Sequence, residues 1–215
     1  MKKQFESGFY QKLNTFADWV LRITVINIMI ILTSLPVVTI YPALLAGYKL
    51  YHKYLNKEEV PMIKSYFKFF TENFGKKMQI GLVLAFALIL GFVNVTIYQD
   101  FLQTNPNPFN VIGQYVMIIM VLSVVFVSMF TLPLMITYPN TDTWLLIKFA
   151  FFLSGKYVIK TVLAVLIMLI PFLMLLHPIT IFIFLFAGLS TPVCLYALLF
   201  KKVVTFVEGL DKENV

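Results

Sequence analysis

Charge, cysteine, histidine and arginine are all scarce in this chain, and each shortage removes a class of function. Its 215 residues hold one cysteine, Cys194, set in an apolar run. No intramolecular disulfide can form, and a cysteine-based metal site is not indicated. His52 and His177 are the only histidines, and the topology derived below puts them on opposite sides of a membrane, so they do not form a metal-ligand pair. A phosphate-cradling loop is missing too: Phe74–Lys77, "FGKK", lacks the upstream glycine and the following Ser or Thr. Charged residues make up only 13% of the chain, about half the roughly 25% usual in globular proteins.

What is present is apolar. Hydrophobic residues reach 60% and the mean hydropathy is +0.87. No soluble core of this length could hide so many Phe, Ile, Leu and Val side chains, so the chain reads as an integral membrane protein with the lipid bilayer as its solvent. The net charge of +7 is spread through the segments between apolar runs, which points to positive-inside topology rather than to nucleic acid. The first residues, Met1 to Trp19, lack the pattern of a cleavable signal peptide, so the mature chain is expected to begin there. Phe5, Phe9, Leu13 and Phe16 fall on one helical face, as in a short helix lying on the membrane.

A spanning helix needs about 20 mostly apolar residues. Five segments qualify: Trp19–Leu35, Met78–Tyr98, Val111–Leu132, Tyr157–Leu176 and Ile179–Phe200. Pro36–Leu55 is a marginal sixth, apolar at its start and carrying Lys49, His52 and Lys53 at its end. With six crossings both termini share one side, and every Lys falls in or beside a cytoplasmic segment. The outer loops then carry Asp100 as their only charge. The fold expected is all-α, a polytopic transmembrane bundle of six spans, with five as the alternative. Residues 1–215 form one integral membrane domain, a first half at 1–98 and a second at 111–200.

Two segments between spans have the pattern of cytoplasmic interfacial helices. "EEVPMIKSYFKFFTENF" puts Ile63, Tyr66, Phe67, Phe70 and Phe74 on one face. "NTDTWLLIKFAFFLSGK" opens on the cap-type residues Asn140 and Thr141 and ends at Gly155, a natural C-cap residue. Two further motifs echo each other: "SLPVVTIYP", with Leu35, Pro36, Tyr41 and Pro42, and "TLPLMITYP", with Leu132, Pro133, Tyr138 and Pro139. A basic or aromatic stretch and then a span follow each, so the pair reads as an internal repeat. In the six-span topology that repeat has to be inverted, a relation common in transporters.

The run from Leu35 to Phe74 resembles the YesL-like family of bacterial membrane proteins, a domain of unknown function found mainly in Firmicutes. Leu35–Ile40, Pro42–Ala43, Glu58–Glu59 and Glu72–Phe74 carry the likeness, while Tyr41 stands where the family commonly has Gly and Asn56–Lys57 replace its usual Arg-Gly. The resemblance implies a partner context rather than a reaction, since the family's members accompany carbohydrate-uptake and polysaccharide-utilisation systems.

Charged residues within a span are costly and mark functional candidates. Asp18 and Arg22, four residues apart, are such a pair, and Arg22 can equally snorkel or bind Asp18. Asn27, Asn94, Ser123, Ser128, Thr180, Ser190 and Thr191 are scattered and uncharged, as interhelical hydrogen bonding requires. Ala43–Gly47 has the small-residue spacing of a close helix contact, and "GLSTP" at Gly188–Pro192 marks a kink. An intramembrane serine protease would need His177 beside a nucleophile. The expectation is a non-enzymatic protein without a cofactor, an accessory or assembly partner of sugar importer permease subunits in the cytoplasmic membrane, both termini cytoplasmic. The alternative is a self-sufficient small-solute transporter or channel.

Overall fold

The computed structural model describes residues 2–104 and 106–212; for residues 2–7, 9, 208 and 210–212 only the backbone is described, so the side chains of Phe5 and Phe9 lie outside the described residues. Nine α-helices and no strand are found among the described residues: α1 (Lys2–Ser34), α2 (Ile40–Leu55), α3 (Met62–Thr71), α4 (Phe74–Thr104), α5 (Pro108–Thr137), α6 (Thr143–Lys156), α7 (Val158–Met174), α8 (Pro178–Ile183) and α9 (Ser190–Lys212). A 3-10 turn, Val37–Thr39, precedes α2, and a π turn, Phe184–Gly188, follows α8.

Four helical stretches are long and apolar enough to cross a membrane: Tyr10–Ser34, Phe74–Thr104, Pro108–Thr137 and Ser190–Val207. Helices α6 and α7 pass the same test together, although they are bent by 103° at Tyr157, which raises the number to five. The chain is membrane-embedded and all-α. Pro36–Leu55 is not among the candidate spans. Pro36 and the 3-10 turn use up its first residues, and the 16 residues of α2 extend about 24 Å at 1.5 Å per residue, short of the ~30 Å hydrocarbon core.

The helices group into two compact units, each discontinuous in sequence. The first comprises Met1–Thr71 with Ile167–Leu198, and the second Glu72–Leu166 with Leu199–Val215. In the first unit α2 packs on α1 through its small residues. Ala43 and Ala46 are wholly buried, and a side chain at Gly47 would meet Ile30 Cδ1 at 2.8 Å. Removing bulk there lets the two backbones approach. Helix α3 buries Tyr66 and Phe69 against this pair and leaves Ile63 and Phe67 exposed, so the face expected to be continuous is split in two.

In the second unit α4 and α5 form an antiparallel pair with glycine at close contacts. Val121 Cγ2 lies 2.5 Å from where a Gly91 Cβ would sit, and a Cβ at Gly113 would run into the Tyr98 ring. Asn107 caps α5, its Oδ1 accepting from the Asn110 N–H at 2.8 Å, with Pro108 in the first turn where no N–H is needed. Phe130 and Phe200 meet edge-on at 4.9 Å in the core. Helix α6 is capped not by Asn140 or Thr141 but by Asp142, which accepts from the Trp144 and Leu145 N–H groups at 3.0 and 3.4 Å. Gly155 does not end it. The helix runs on to Lys156, and none of the described glycines has a positive φ.

Candidate functional site

The most densely bonded polar group in the first unit is Asn27, in the middle of α1 and wholly buried. Its Nδ2 donates to the carbonyls of Phe184 and Leu185 at 3.0 and 2.8 Å. Its Oδ1 accepts from the N–H groups of Leu189 and Ser190 at 2.8 and 2.9 Å. One amide thus uses both donors and both acceptor positions on a single stretch of backbone, the π turn and the start of α9. The reason is local: a π turn interrupts the helical ladder and leaves backbone groups to be satisfied from outside, which is costly in a membrane. "GLSTP" was legible as an irregularity, whereas its link to Asn27, through Leu189 and Ser190, joins residues 162 and 163 positions apart.

Around this junction the first unit collects hydroxyls. Tyr51 and Ser190, both wholly buried, hydrogen-bond to each other through their side chains. Tyr66 Oη shares a hydrogen bond with Thr33 Oγ1 at 2.7 Å and donates to the Ala43 carbonyl at 3.3 Å, tying α3 to α1 and α2. Burial pushes the Tyr66 hydroxyl up to about 12, against the pull of the Thr33 hydrogen bond. Tyr48 packs edge-on against Tyr196 at 5.5 Å. These aromatic contacts went unread in the sequence, because Tyr48 and Tyr51 on α2 look like any apolar stripe until their partners near residue 190 are in place.

Asp18 and Arg22 are brought together by one turn of α1, with Arg22 Nη2 at 2.8 Å from Asp18 Oδ2. The guanidinium also lies 4.3 Å from the centre of the Tyr54 ring and 5.7 Å from that of Trp19. Arg22 is therefore a strut between α1 and the end of α2, held by an aromatic face and a half-exposed carboxylate. A groove of about 740 Å³ opens beside it, lined also by Asn14, Lys57, Glu58 and Glu59.

The two echoing motifs have different structures. In the first, α1 stops at Ser34, Pro36 starts the 3-10 turn at φ −73°, and Thr39 Oγ1 donates to the Thr33 and Pro36 carbonyls at 2.5 and 2.6 Å. Leu35 is exposed, Tyr41 half-buried and Pro42 buried in the first turn of α2, where proline is tolerated. In the second, Leu132 and Pro133 are buried inside α5, which continues to Thr137. The Tyr138 N–H closes that helix on the Leu134 carbonyl at 2.8 Å, and its Oη donates to the Val207 carbonyl at 3.0 Å. Pro139 then leads into a loop pinned by Lys76, whose Nζ donates to the carbonyls of Pro139, at 2.8 Å, and Thr141.

Thr180 Oγ1 donates to the Met174 carbonyl at the end of α7, at 2.5 Å, and to that of His177 at 2.8 Å, whereas three other polar candidates serve their own helices. Asn94 Nδ2 donates to the Leu90 carbonyl at 2.7 Å, Ser123 Oγ to Ile119 at 2.8 Å and Ser128 Oγ to Val125 at 2.7 Å. His177 caps the short α8, its Nδ1 accepting from the Ile179 N–H at 3.3 Å.

No curated protein and no solved structure matches the chain. Residues 23–95 match the model of a family described as "Protein of unknown function, DUF624". That stretch holds Asn27, Tyr51, Tyr66 and the whole of the first motif.

Proposed function

We propose that the chain is a non-enzymatic protein of the YesL-like type in the cytoplasmic membrane, an accessory or assembly partner of a carbohydrate uptake system that works through contacts along its helix faces. The observation that carries this is the Asn27 junction. In transporters, a broken helix serves substrate and ions by leaving backbone groups free to bind them. Here Asn27 takes two carbonyls and two N–H groups at the break itself, which makes the break a structural joint. Long apolar faces remain for lipid and partner helices, among them Phe86, Ile89 and Phe92 on α4 and Ile112 and Ile119 on α5, all exposed. The lysines, gathered between the apolar runs, support cytoplasmic termini. The sugar context rests on the resemblance of Leu35–Phe74.

Affinity purification of the tagged chain in mild detergent, from cells growing on an inducing sugar, tests the proposal. Recovery of importer permease subunits is expected; recovery of the chain alone contradicts it. The second reading, a self-sufficient transporter, is favoured by the same discontinuity, since π turns recur at functional sites. Uptake of labelled sugar by proteoliposomes holding only this chain would establish it.

A further inference from the structure

A slot of about 460 Å³ lies between the end of α5 and α6, in the second unit. Leu134 and Leu146, both buried, make its floor; Tyr138 and Phe149, with ring centres 6.3 Å apart, make a wall; exposed Leu145 and Phe152 form the rim. The size suits a small organic ligand, for which sites run from roughly 300 to 1,000 Å³, but the lining offers almost nothing polar besides Thr141 and Lys148. A polar solute would lose its water there without compensation, whereas a hydrocarbon chain would not. The walls are held from behind by the protein's own bonds: Lys76 on the loop carbonyls, Tyr138 on the Val207 carbonyl and Asp142 on the first turn of α6.

We propose that this slot binds one anionic phospholipid, with an acyl chain in the apolar floor and the headgroup phosphate at Lys148. Two features place the slot at headgroup depth. Helix α6 runs across α7, at 103°, as a helix in the membrane interface does. It also exposes Trp144, the residue type enriched at that depth, one turn from Lys148 on the same face. Charge selects the anionic class. Lys148 is exposed at the mouth and has no ion pair among the described residues. The neighbouring Asp142 carboxylate is committed to two backbone N–H groups, and Lys76 to two carbonyls. The charge left to face a ligand is positive, which is how basic pockets beside membrane helices hold acidic headgroups.

The test is native mass spectrometry of the full chain, released from detergent after incubation with equimolar phosphatidylglycerol and phosphatidylcholine of identical acyl chains. One retained phospholipid per chain is expected, with about a fivefold preference for phosphatidylglycerol, the factor that one lysine near an anionic surface provides. Lys148→Gln, at an exposed position, should keep the lipid and lose the preference; Leu145→Trp, which crowds the mouth, should lose the lipid. Heating curves of both variants confirm their folding. No retained lipid, equal retention of the two lipids by the wild-type chain, or an undiminished preference in Lys148→Gln would each overturn the proposal. So would a dimer that Leu145→Trp abolishes, since a second copy would then occupy the slot.

Discussion

Replacing Asn27 by leucine is the sharpest test of the joint between the first span and the last helix. The substitution keeps side-chain size and leaves the Leu189 and Ser190 N–H groups without an acceptor inside a wholly buried site. Two orphaned donors at ~1–3 kcal/mol each cost about 2–6 kcal/mol. Four interhelical bonds at the ~0.6 kcal/mol average of membrane bundles amount to about 2.4 kcal/mol. The two routes overlap at about 2–3 kcal/mol, which for a chain of this size lowers Tm by about 4–12 °C. Loss of the monodisperse peak in size-exclusion chromatography, after heating in detergent, reads the shift. Asn94→Leu is the control, because among the described residues Asn94 bonds only the Leu90 carbonyl of its own helix, and it should change Tm by no more than about 2 °C. Equal melting of the two variants would refute the argument, since the same chemical change would then be indifferent to place.

Gly91→Ala should destabilise by about 1–3 kcal/mol, because the new Cβ would sit 2.5 Å from Val121 Cγ2, on a β-branched side chain that has little freedom to swing away. Gly155→Ala meets nothing within 4 Å in the helical α6 and should stabilise by up to ~1 kcal/mol; the same heating assay ranks the pair. Lys76→Met removes two charge-assisted bonds from the loop after α5, so amide exchange at residues 140–142 should accelerate by at least about tenfold, since even one such bond is worth ~1.5 kcal/mol or more. Arg22→Lys retains a cation for Asp18 but not the planar group over Tyr54; a loss of about 0.5–1 kcal/mol in thermal stability is expected.

The helical class and the apolar runs were legible because lipid leaves a chain so few alternatives to helix. The first motif was legible as well, since Pro36 fixes its own φ and Pro42 falls in a first turn. Its echo misled. Pro133 looks like the end of a span, yet α5 carries it inside and stops at Thr137, which membrane helices tolerate when neighbours satisfy the freed carbonyl. Gly155 looked like a stop and is an ordinary helical residue. Among the described residues, the left-handed backbone occurs instead at Lys57 and Asn73, with φ of 62° and 50°. Asp18 and Arg22 were found because their partnership is local, one helical turn. Asn27 was noticed only as one polar residue among seven, because everything it binds lies beyond residue 183.

That distance sets an order on biogenesis. A chain enters the membrane from its N-terminus, so the Asn27 amide is already in the bilayer while the backbone that will satisfy it has yet to be made. The first compact unit is incomplete until the segment Ile167–Leu198 arrives. Through that interval the amide has only a carbonyl of its own helix, or nearby water and lipid, to bond. A chain arrested before Ile167 would lack both the backbone that Asn27 binds and the segment that completes the first unit.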